Sequence, residues 1–171
     1  SLGDASPNEF YSGGFVYRQN TTDLDISRTM NWFEGVSVSF GAEMRIENYE
    51  ILAGEEDSWI NGQDTLFSSG QAIARAAGAQ VFPGFLPENE LNEFRTNNGW
   101  YLDVESKFSK RILVGAAARF ESYSDFGDQG TWKLSGRYSL GDRVSLTAGL
   151  ATGFRAPSLH QVYFNNIGTQ F

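Results

Sequence analysis

The sequence predicts an all-β protein, an antiparallel up-and-down meander of about seven strands. Apolar and polar residues alternate along several segments, which is the pattern of strands with one apolar face. Short and long connections alternate between these segments, as in a meander with short turns at one rim and long loops at the other. Aromatic residues make up 15% of the chain and hydrophobic residues 40%, a composition that excludes a disordered chain and a coiled coil.

Five segments carry the alternation clearly: residues 36–47, 100–108, 112–121, 132–140 and 144–153. Two earlier segments, residues 13–19 and 24–32, carry it more weakly. A turn at residues 20–23 is expected between them, and Arg28 interrupts the apolar side of the second. The pattern therefore predicts seven strands, with short turns near residues 31–35, 109–111 and 141–143 at one rim.

The longest connection predicted is residues 52–97, which show no strand pattern. Loops longer than about 12–15 residues are uncommon in compact domains and are often functional. Within this loop, Ser68 and Ser69 can cap a short helix over residues 71–77, and Gly78 can end it. A recognition loop containing one helix is the expectation. A second, shorter connection is expected at residues 124–130.

Charge and rare residue types exclude several function classes. With 13 Lys and Arg against 21 Asp and Glu, the net charge of −8 disfavours a nucleic-acid partner. The chain has no cysteine and one histidine, His160, which excludes a thiolate metal site and a histidine-rich metal cluster. No metal or other cofactor is expected. The longest apolar run, residues 112–120, is too short for a membrane-spanning helix and contains Arg119. Residues 1–8 do not resemble a secretory signal.

The apolar face of the strands could meet either a protein interior or lipid. Trp100 and Phe108 bracket this face on one segment and Trp132 and Tyr138 on another, like two aromatic girdles. From Trp100 to Phe108 a strand spans ~26 Å, or ~20 Å of height at a tilt of ~40°, close to the apolar band of a transmembrane barrel. Aromatic residues also favour strands in general, so both interpretations stay open.

The opposite face carries a dense row of charges of both signs. It would line a hydrated lumen if the apolar face met lipid, and it would be an ordinary solvated surface otherwise. The residues predicted to face such a lumen are Glu43, Arg45, Glu47, Glu105, Arg119, Glu121 and Arg137.

Motifs for catalysis are weak, and no catalytic residue or enzymatic activity is predicted. Asp125-Phe126-Gly127 spells a kinase magnesium motif, but its companion motifs are missing and a hairpin tip is expected instead. His160 lies near Ser158 without a nucleophile elbow. The acidic run Glu55-Glu56-Asp57 is expected to be solvated.

The tail Thr152-Gly153-Phe154-Arg155-Ala156-Pro157-Ser158-Leu159 resembles the strand-end motif of TonB-dependent outer-membrane receptors. Three further pieces resemble the same family in the same order: residues 40–49, residues 82–85 and residues 119–127. The similarity runs from about residue 36 to the end of the chain. The chain departs from the family in size, because that family has a plug domain and a barrel of twenty-two strands.

The resemblance implies that residues 1–171 are one slice of barrel wall without its plug domain, with residues 52–97 as a long extracellular loop. Seven strands would be too few to close a transmembrane barrel, and this also indicates a part of a barrel wall. It also implies a Gram-negative outer membrane and energy-coupled uptake of a scarce nutrient such as an iron–siderophore, cobalamin or a glycan. The implied partners are lipid, the plug and remaining strands of the parent chain, TonB and a small-molecule ligand.

Ligand contacts would fall on loops carried by the wall, and the candidate residues are Trp59, Trp100 and Arg155. The alternative function is a soluble, lipocalin-like barrel that binds a small apolar ligand inside. In that case the apolar face would be enclosed and the charges would face bulk water. The two hypotheses therefore differ in which face of the sheet is buried.

Overall fold

A computed structural model describes residues 6–60, 65–68, 71–74, 78, 83–141 and 143–165. The described residues form strands β1 (Gly14–Met30), β2 (Val36–Leu52), β3 (Thr65–Ser68), β4 (Gln71–Ala74), β5 (Leu91–Ser109), β6 (Ile112–Tyr123), β7 (Gly127–Ser139) and β8 (Ser145–Ala151). They also form two short helices, α1 (Glu56–Trp59) and α2 (Leu159–Tyr163), and a 3-10 helix, Pro87–Asn89. No helix in these ranges has the length and apolarity to cross a membrane.

Six strands form one sheet in the order β1-β2-β5-β6-β7-β8. Each strand pairs with the next one along the chain, except that β3 and β4 are inserted between β2 and β5. This confirms the all-β antiparallel up-and-down class. Within the described ranges the sheet is unclosed, because its end strands β1 and β8 do not pair with each other. Strands β3 and β4 form a separate antiparallel hairpin.

The prediction of two strands within residues 13–32 is wrong, because β1 runs without interruption from Gly14 to Met30. The main sheet therefore has six strands. The turn predicted at residues 20–23, Asn-Thr-Thr-Asp, is part of this strand. These residues include no glycine or proline, and their threonines are β-branched residues that favour strands. Arg28 is exposed on this end strand, so its charge does not interrupt a buried apolar face.

The helix predicted for residues 71–77 is also wrong. Residues 71–74 are strand β4, paired with β3 in a register that runs from Thr65↔Ala74 to Ser68↔Gln71. The backbone groups of these residues find their hydrogen-bond partners on β3, and a helix-capping signal in the local sequence cannot show such a pairing. Residues 75–77 lie outside the described ranges. Strand β5 begins at Leu91, earlier than the pattern indicated, and β7 begins at Gly127, so the β6–β7 connection is only Ser124 to Phe126.

The chain divides into two compact units. Unit 1 comprises Ser1–Arg18, Asn48–Phe94 and Ser158–Phe171, and unit 2 comprises Gln19–Glu47 and Arg95–Pro157. In unit 1, Tyr49, Ile51, Phe85 and Leu159 form a buried apolar cluster, against which Leu91 and Tyr163 pack. The buried side chains of unit 2 are mostly polar, and they are Glu47, Arg95 and Asn97 together with Val36 and Tyr123.

Candidate functional site

The strand register of unit 2 separates its side chains into two faces. Trp100 pairs with Phe120, and their rings stack with centroids 6.0 Å apart. The next residues on these strands, Tyr101 and Arg119, also pair and point to the other face. We call the face with Trp100 the apolar face and the face with Arg119 the charged face.

The apolar face is uncovered in the described structure. Trp100 is 42% exposed, Leu134 51% and Leu146 66%. Other large side chains of this face are exposed in the same way: Phe40, Met44, Leu102, Phe108, Val114, Phe120, Trp132, Tyr138 and Leu150. A lipocalin-like barrel would enclose these side chains around a ligand. The structure shows no such enclosure within the described residues.

The charged face carries an ion-pair network that joins β2 to β6. Arg119 Nη2 donates to Glu43 Oε2 at 2.9 Å and to Glu121 Oε1 at 3.0 Å. Arg45 pairs with the second oxygen of Glu43, and Asn97 Nδ2 donates to Glu121 Oε1 at 3.3 Å. Both cations therefore share Glu43. Four of the residues predicted for a lumen face are brought together here, and all four are half-buried.

The other three predicted residues lie apart from this network. Glu47 is buried, and its Oε2 lies 3.8 Å from Nη1 of Arg95. Glu105 and Arg137 are exposed. The row is therefore paired along β2, where Glu47 is buried beside Arg95, and exposed at Glu105 and Arg137.

Arg95 is the residue that the sequence analysis missed. It is 1% exposed and, besides Glu47, it is held by three further partners. Its Nε donates to Asp125 Oδ2 at 2.8 Å, and its Nη1 donates to the backbone oxygen of Pro157 at 2.7 Å. Its guanidinium carbon also lies 5.3 Å from the centre of the Phe126 ring.

These contacts, which we call the Arg95 clasp, tie the tip of the β6–β7 hairpin and the segment after β8 to β5. Asp125-Phe126 is therefore part of a hairpin tip, as expected, with a structural role for both side chains. No local motif marks Arg95, since its partners lie 30 and 62 residues away in sequence. The only available signal was an arginine in a region where no strand was expected.

A second missed feature is a bridge across three strands of unit 2. The hydroxyl of Tyr101 on β5 donates to Asp25 Oδ1 on β1 at 2.5 Å. To reach it, the ring crosses Gly41 on β2, and a Cβ at Gly41 would collide with the ring. A glycine inside a strand often marks such a close approach.

In unit 1, aromatic side chains gather around the end of β2. Tyr49 Oη forms a 2.9 Å hydrogen bond with His160 Nδ1, and the Phe15 ring contacts both, with centroids 6.3 and 5.8 Å away. His160 therefore hydrogen-bonds to Tyr49 and packs against Phe15.

The three ligand candidates are not brought together. Trp59 is half-buried, and its Nε1 donates to the backbone oxygen of Gly54 at 3.2 Å. Trp100 lies on the apolar face against Phe120. Arg155 is exposed after β8. Glu55, the first residue of the acidic run, accepts a hydrogen bond from the backbone of Tyr11, and the described ranges contain no group of three or more residues arranged to hold a metal ion.

An uncovered apolar face and a charged face with buried ion pairs are the arrangement expected of a wall between lipid and a hydrated passage. A family model described as TonB dependent receptor-like, beta-barrel, matches residues 2–171. The chain belongs to this receptor family. The resemblance noted in the tail and in the three earlier pieces is thereby confirmed, and it extends over almost the whole chain.

The chain is also similar to the vitamin B12 transporter BtuB of Vibrio vulnificus (strain YJ016), with 26% identity over 174 residues. The matched region covers 95% of this chain but only 27% of that transporter. No solved structure matches the chain. Family membership therefore rests on sequence, and the chain spans about a quarter of the length of this curated relative.

Proposed function

We propose that this chain is part of the barrel wall of an outer-membrane receptor that takes up a scarce nutrient by energy coupling in a Gram-negative bacterium. The observation that carries the proposal is the uncovered apolar face of unit 2, combined with membership of the TonB-dependent receptor family. Lipid would cover that face, and the charged face would line the passage. The remaining strands, the plug domain and the contact with TonB belong to the parent protein.

The ion pairs of the charged face support a lumen rather than a dry core. Arg119 and Glu43 keep 33% and 15% of their side-chain surface exposed while paired, which fits a hydrated wall. Paired charges also cost less to hold near a membrane than single ones, because each partner compensates the desolvation of the other. We expect the mixed signs to keep this part of the passage close to neutral.

The transported ligand is proposed only as a class: an iron–siderophore, cobalamin or a glycan. The similarity to a vitamin B12 transporter favours cobalamin as the first ligand to test. Trp59 and Arg155 stay candidates for ligand contact because both belong to connecting segments. We assign Trp100 to the lipid side because of its position beside Phe120.

The proposal is tested with the full-length parent in its own host. Deletion of the parent gene should reduce uptake of one labelled nutrient among cobalamin, ferric siderophores and oligosaccharides. Collapse of the proton-motive force should reduce uptake to the same degree in the wild type. Complementation by the parent restores uptake, and complementation by a parent lacking residues 1–171 provides the matched control.

Two results would contradict the proposal. One is a parent protein that fractionates with the soluble proteins and shows no heat-modifiable migration. The other is uptake of every tested nutrient at the wild-type rate after deletion, together with no loss on de-energisation.

A further inference from the structure

Two adjoining cavities lie in unit 2, where β5 and β7 end and β6 and β8 begin. Their volumes are about 410 and 510 Å³, within the usual range of small-molecule sites. Lys110, Arg111 and Arg137 line both cavities, Lys107 lines the first, and Arg143 lines the second. We call the region lined by these five residues the basic groove.

The strand register places the basic groove on the charged face. Lys107 pairs with Leu113, and Leu113 pairs with Arg137 on the next strand. The alternation of side chains from Lys107 back along β5 leads to Tyr101, which pairs with Arg119 of the ion-pair network. The groove therefore belongs to the side of the wall that the proposed function turns toward the passage, and not to the lipid side.

The five cations of the groove have no ion-pair partner among the described residues. By contrast, Arg119 on the same face pairs with Glu43 at 2.9 Å and with Glu121 at 3.0 Å. The groove holds 5 of the 13 Lys and Arg of the chain, although the net charge of the chain is −8. Like charges held close together repel one another, so an anion in the groove would relieve this repulsion.

Nearby carboxylates offset only part of this charge. Glu34 is the one carboxylate among the described residues that line the cavities. Glu105 lies two residues before Lys107 on the same face and is exposed. Asp142 lies outside the described residues. Counting all three leaves five cations against three carboxylates, so the groove stays positive.

Backbone hydrogen bonds hold the groove in place in advance of any ligand. Lys107 N donates to Gly35 O at 2.8 Å, and Lys107 O accepts from Glu34 N at 2.9 Å. Ser139 N donates to Arg111 O at 2.8 Å. Because the backbone that carries the cations is already ordered, less conformational entropy is lost on binding.

Serine hydroxyls add uncharged hydrogen-bond donors to the groove. Ser139 lines both cavities and Ser145 lines the second. The two serines pair with each other, and Ser139 lies two residues after Arg137 and therefore on the same face. Guanidinium groups match the oxygens of phosphate and carboxylate with two parallel hydrogen bonds, and hydroxyls can donate to the same oxygens. This set of donors suits an oxyanion.

We propose that the basic groove binds an oxyanion group, phosphate or carboxylate, of a solute in the passage. The inference rests on the proposed function, because only there does the charged face line a passage. Arg111 and Arg137 make the main contacts, since each lines both cavities and each can hold two oxygens. The oxyanion is either a free ion or a group of the transported nutrient, and its chemistry is the same in both cases.

The test measures binding of radiolabelled inorganic phosphate and citrate to the full-length parent in neutral detergent by equilibrium dialysis, with chloride holding the ionic strength constant. We expect saturable binding of at least one of the two anions. In Arg111→Gln/Arg137→Gln the dissociation constant should rise at least about tenfold, because two charge-assisted contacts are lost. The single variant Arg137→Gln should raise it about threefold or more. Heat-modifiable migration shows that each variant is folded.

Lys133→Gln is the matched control for Arg137→Gln. Lys133 lies on the same face of the same strand but does not line the groove. It is four residues from Arg137, about 13 Å along the strand, which is farther than the screening length of about 10 Å at 0.1 M salt. Its loss should change the dissociation constant by less than about twofold, since at that distance its charge is largely screened.

Three results would overturn the proposal. The first is no saturable binding of phosphate or citrate by the wild type. The second is equal weakening by Lys133→Gln and Arg137→Gln. The third is binding of a polyglutamate peptide through Arg111 and Arg137 without binding of either small anion, which would assign the groove to a protein partner.

Uptake assays distinguish the two sources of the oxyanion once deletion of the parent gene has identified the nutrient. If the nutrient carries the oxyanion, an excess of nutrient should displace bound phosphate or citrate, and Arg111→Gln/Arg137→Gln should lower uptake. If the groove holds a free ion, the nutrient should not displace it and uptake should be unchanged. Both results support the site and identify its occupant.

Failure of this inference is distinguishable from failure of the proposed function. A parent that shows heat-modifiable migration and energy-coupled uptake, but binds neither phosphate nor citrate, overturns only the anion site. A parent that fractionates with the soluble proteins overturns the passage and the proposed function, whether or not it binds either anion.

Discussion

On β6, Arg119 and Phe120 follow one another and therefore point to opposite faces, and the two faces have different surroundings. Phe120 stacks on Trp100 and is otherwise uncovered, whereas Arg119 lies between Glu43 and Glu121 and is half-buried. A water-soluble protein would show the reverse, with the ring inside and the cation outside. The difference between the two faces is the one that the proposed function requires, with lipid at the face of Phe120 and water at the face of Arg119.

The largest effect is expected for the loss of Arg95, which tests whether ion pairing stabilises the charged face. Arg95→Met leaves Asp125 and the Pro157 carbonyl without their cation, so the free energy of unfolding should fall by about 3–5 kcal/mol. Urea unfolding of the parent in vesicles measures it. Arg155→Met, at an exposed position, is the matched control and should change little. Equal effects of the two variants would show that the Arg95 clasp does not stabilise the wall.

The next effect tests the apolar face directly. Leu102→Arg places a cation in the hydrocarbon region and should cost about 2–4 kcal/mol of stability in vesicles, depending on depth. Asp103→Arg makes the same side chain at the neighbouring position on the charged face and should cost much less. Heat-modifiable migration and urea midpoints report both variants. A larger loss for Asp103→Arg would reverse the assignment of the two faces.

A third variant tests the close approach of Tyr101 to Gly41. Gly41→Ala should force the ring away from Asp25 and cost about 1–3 kcal/mol, the usual range for overpacking. Gly136→Ala is the control, because a Cβ at that strand glycine meets nothing within 4 Å. In the double variant Gly41→Ala/Tyr101→Leu, most of the loss should disappear. Persistent loss in the double variant would place the cause elsewhere.

The smallest effect concerns the half-exposed pair on the charged face. Glu43→Gln weakens two ion pairs, but solvent reaches both partners, so the expected loss is about 0.2–1 kcal/mol. A double-mutant cycle with Arg119→Met measures the coupling and should shrink at high salt. Coupling as large as that of Arg95 would show that this part of the face is dry.

The period-two pattern was sufficient to predict β2, β5, β6, β7 and β8, because each strand has one uniform face. It failed in residues 13–32, where an exposed end strand tolerates polar residues and Arg28. It also failed at residues 71–74, where pairing with β3 overrides a local helix signal. The alternation of side chains along each strand was also sufficient to place four charged residues on one face: Glu43, Arg45, Arg119 and Glu121. The Arg95 clasp could not be predicted, because its partners are brought together only by the register of strands.

The central claim, that lipid covers the face bearing Trp100 and Trp132, is tested most directly by tryptophan quenching with brominated phosphatidylcholine in vesicles of the parent. Trp100→Phe and Trp132→Phe should each remove fluorescence that the lipid quenches, whereas Trp59→Phe should remove fluorescence that it does not. If neither Trp100 nor Trp132 contributes to the quenched fraction, the apolar face does not meet lipid and the account is contradicted.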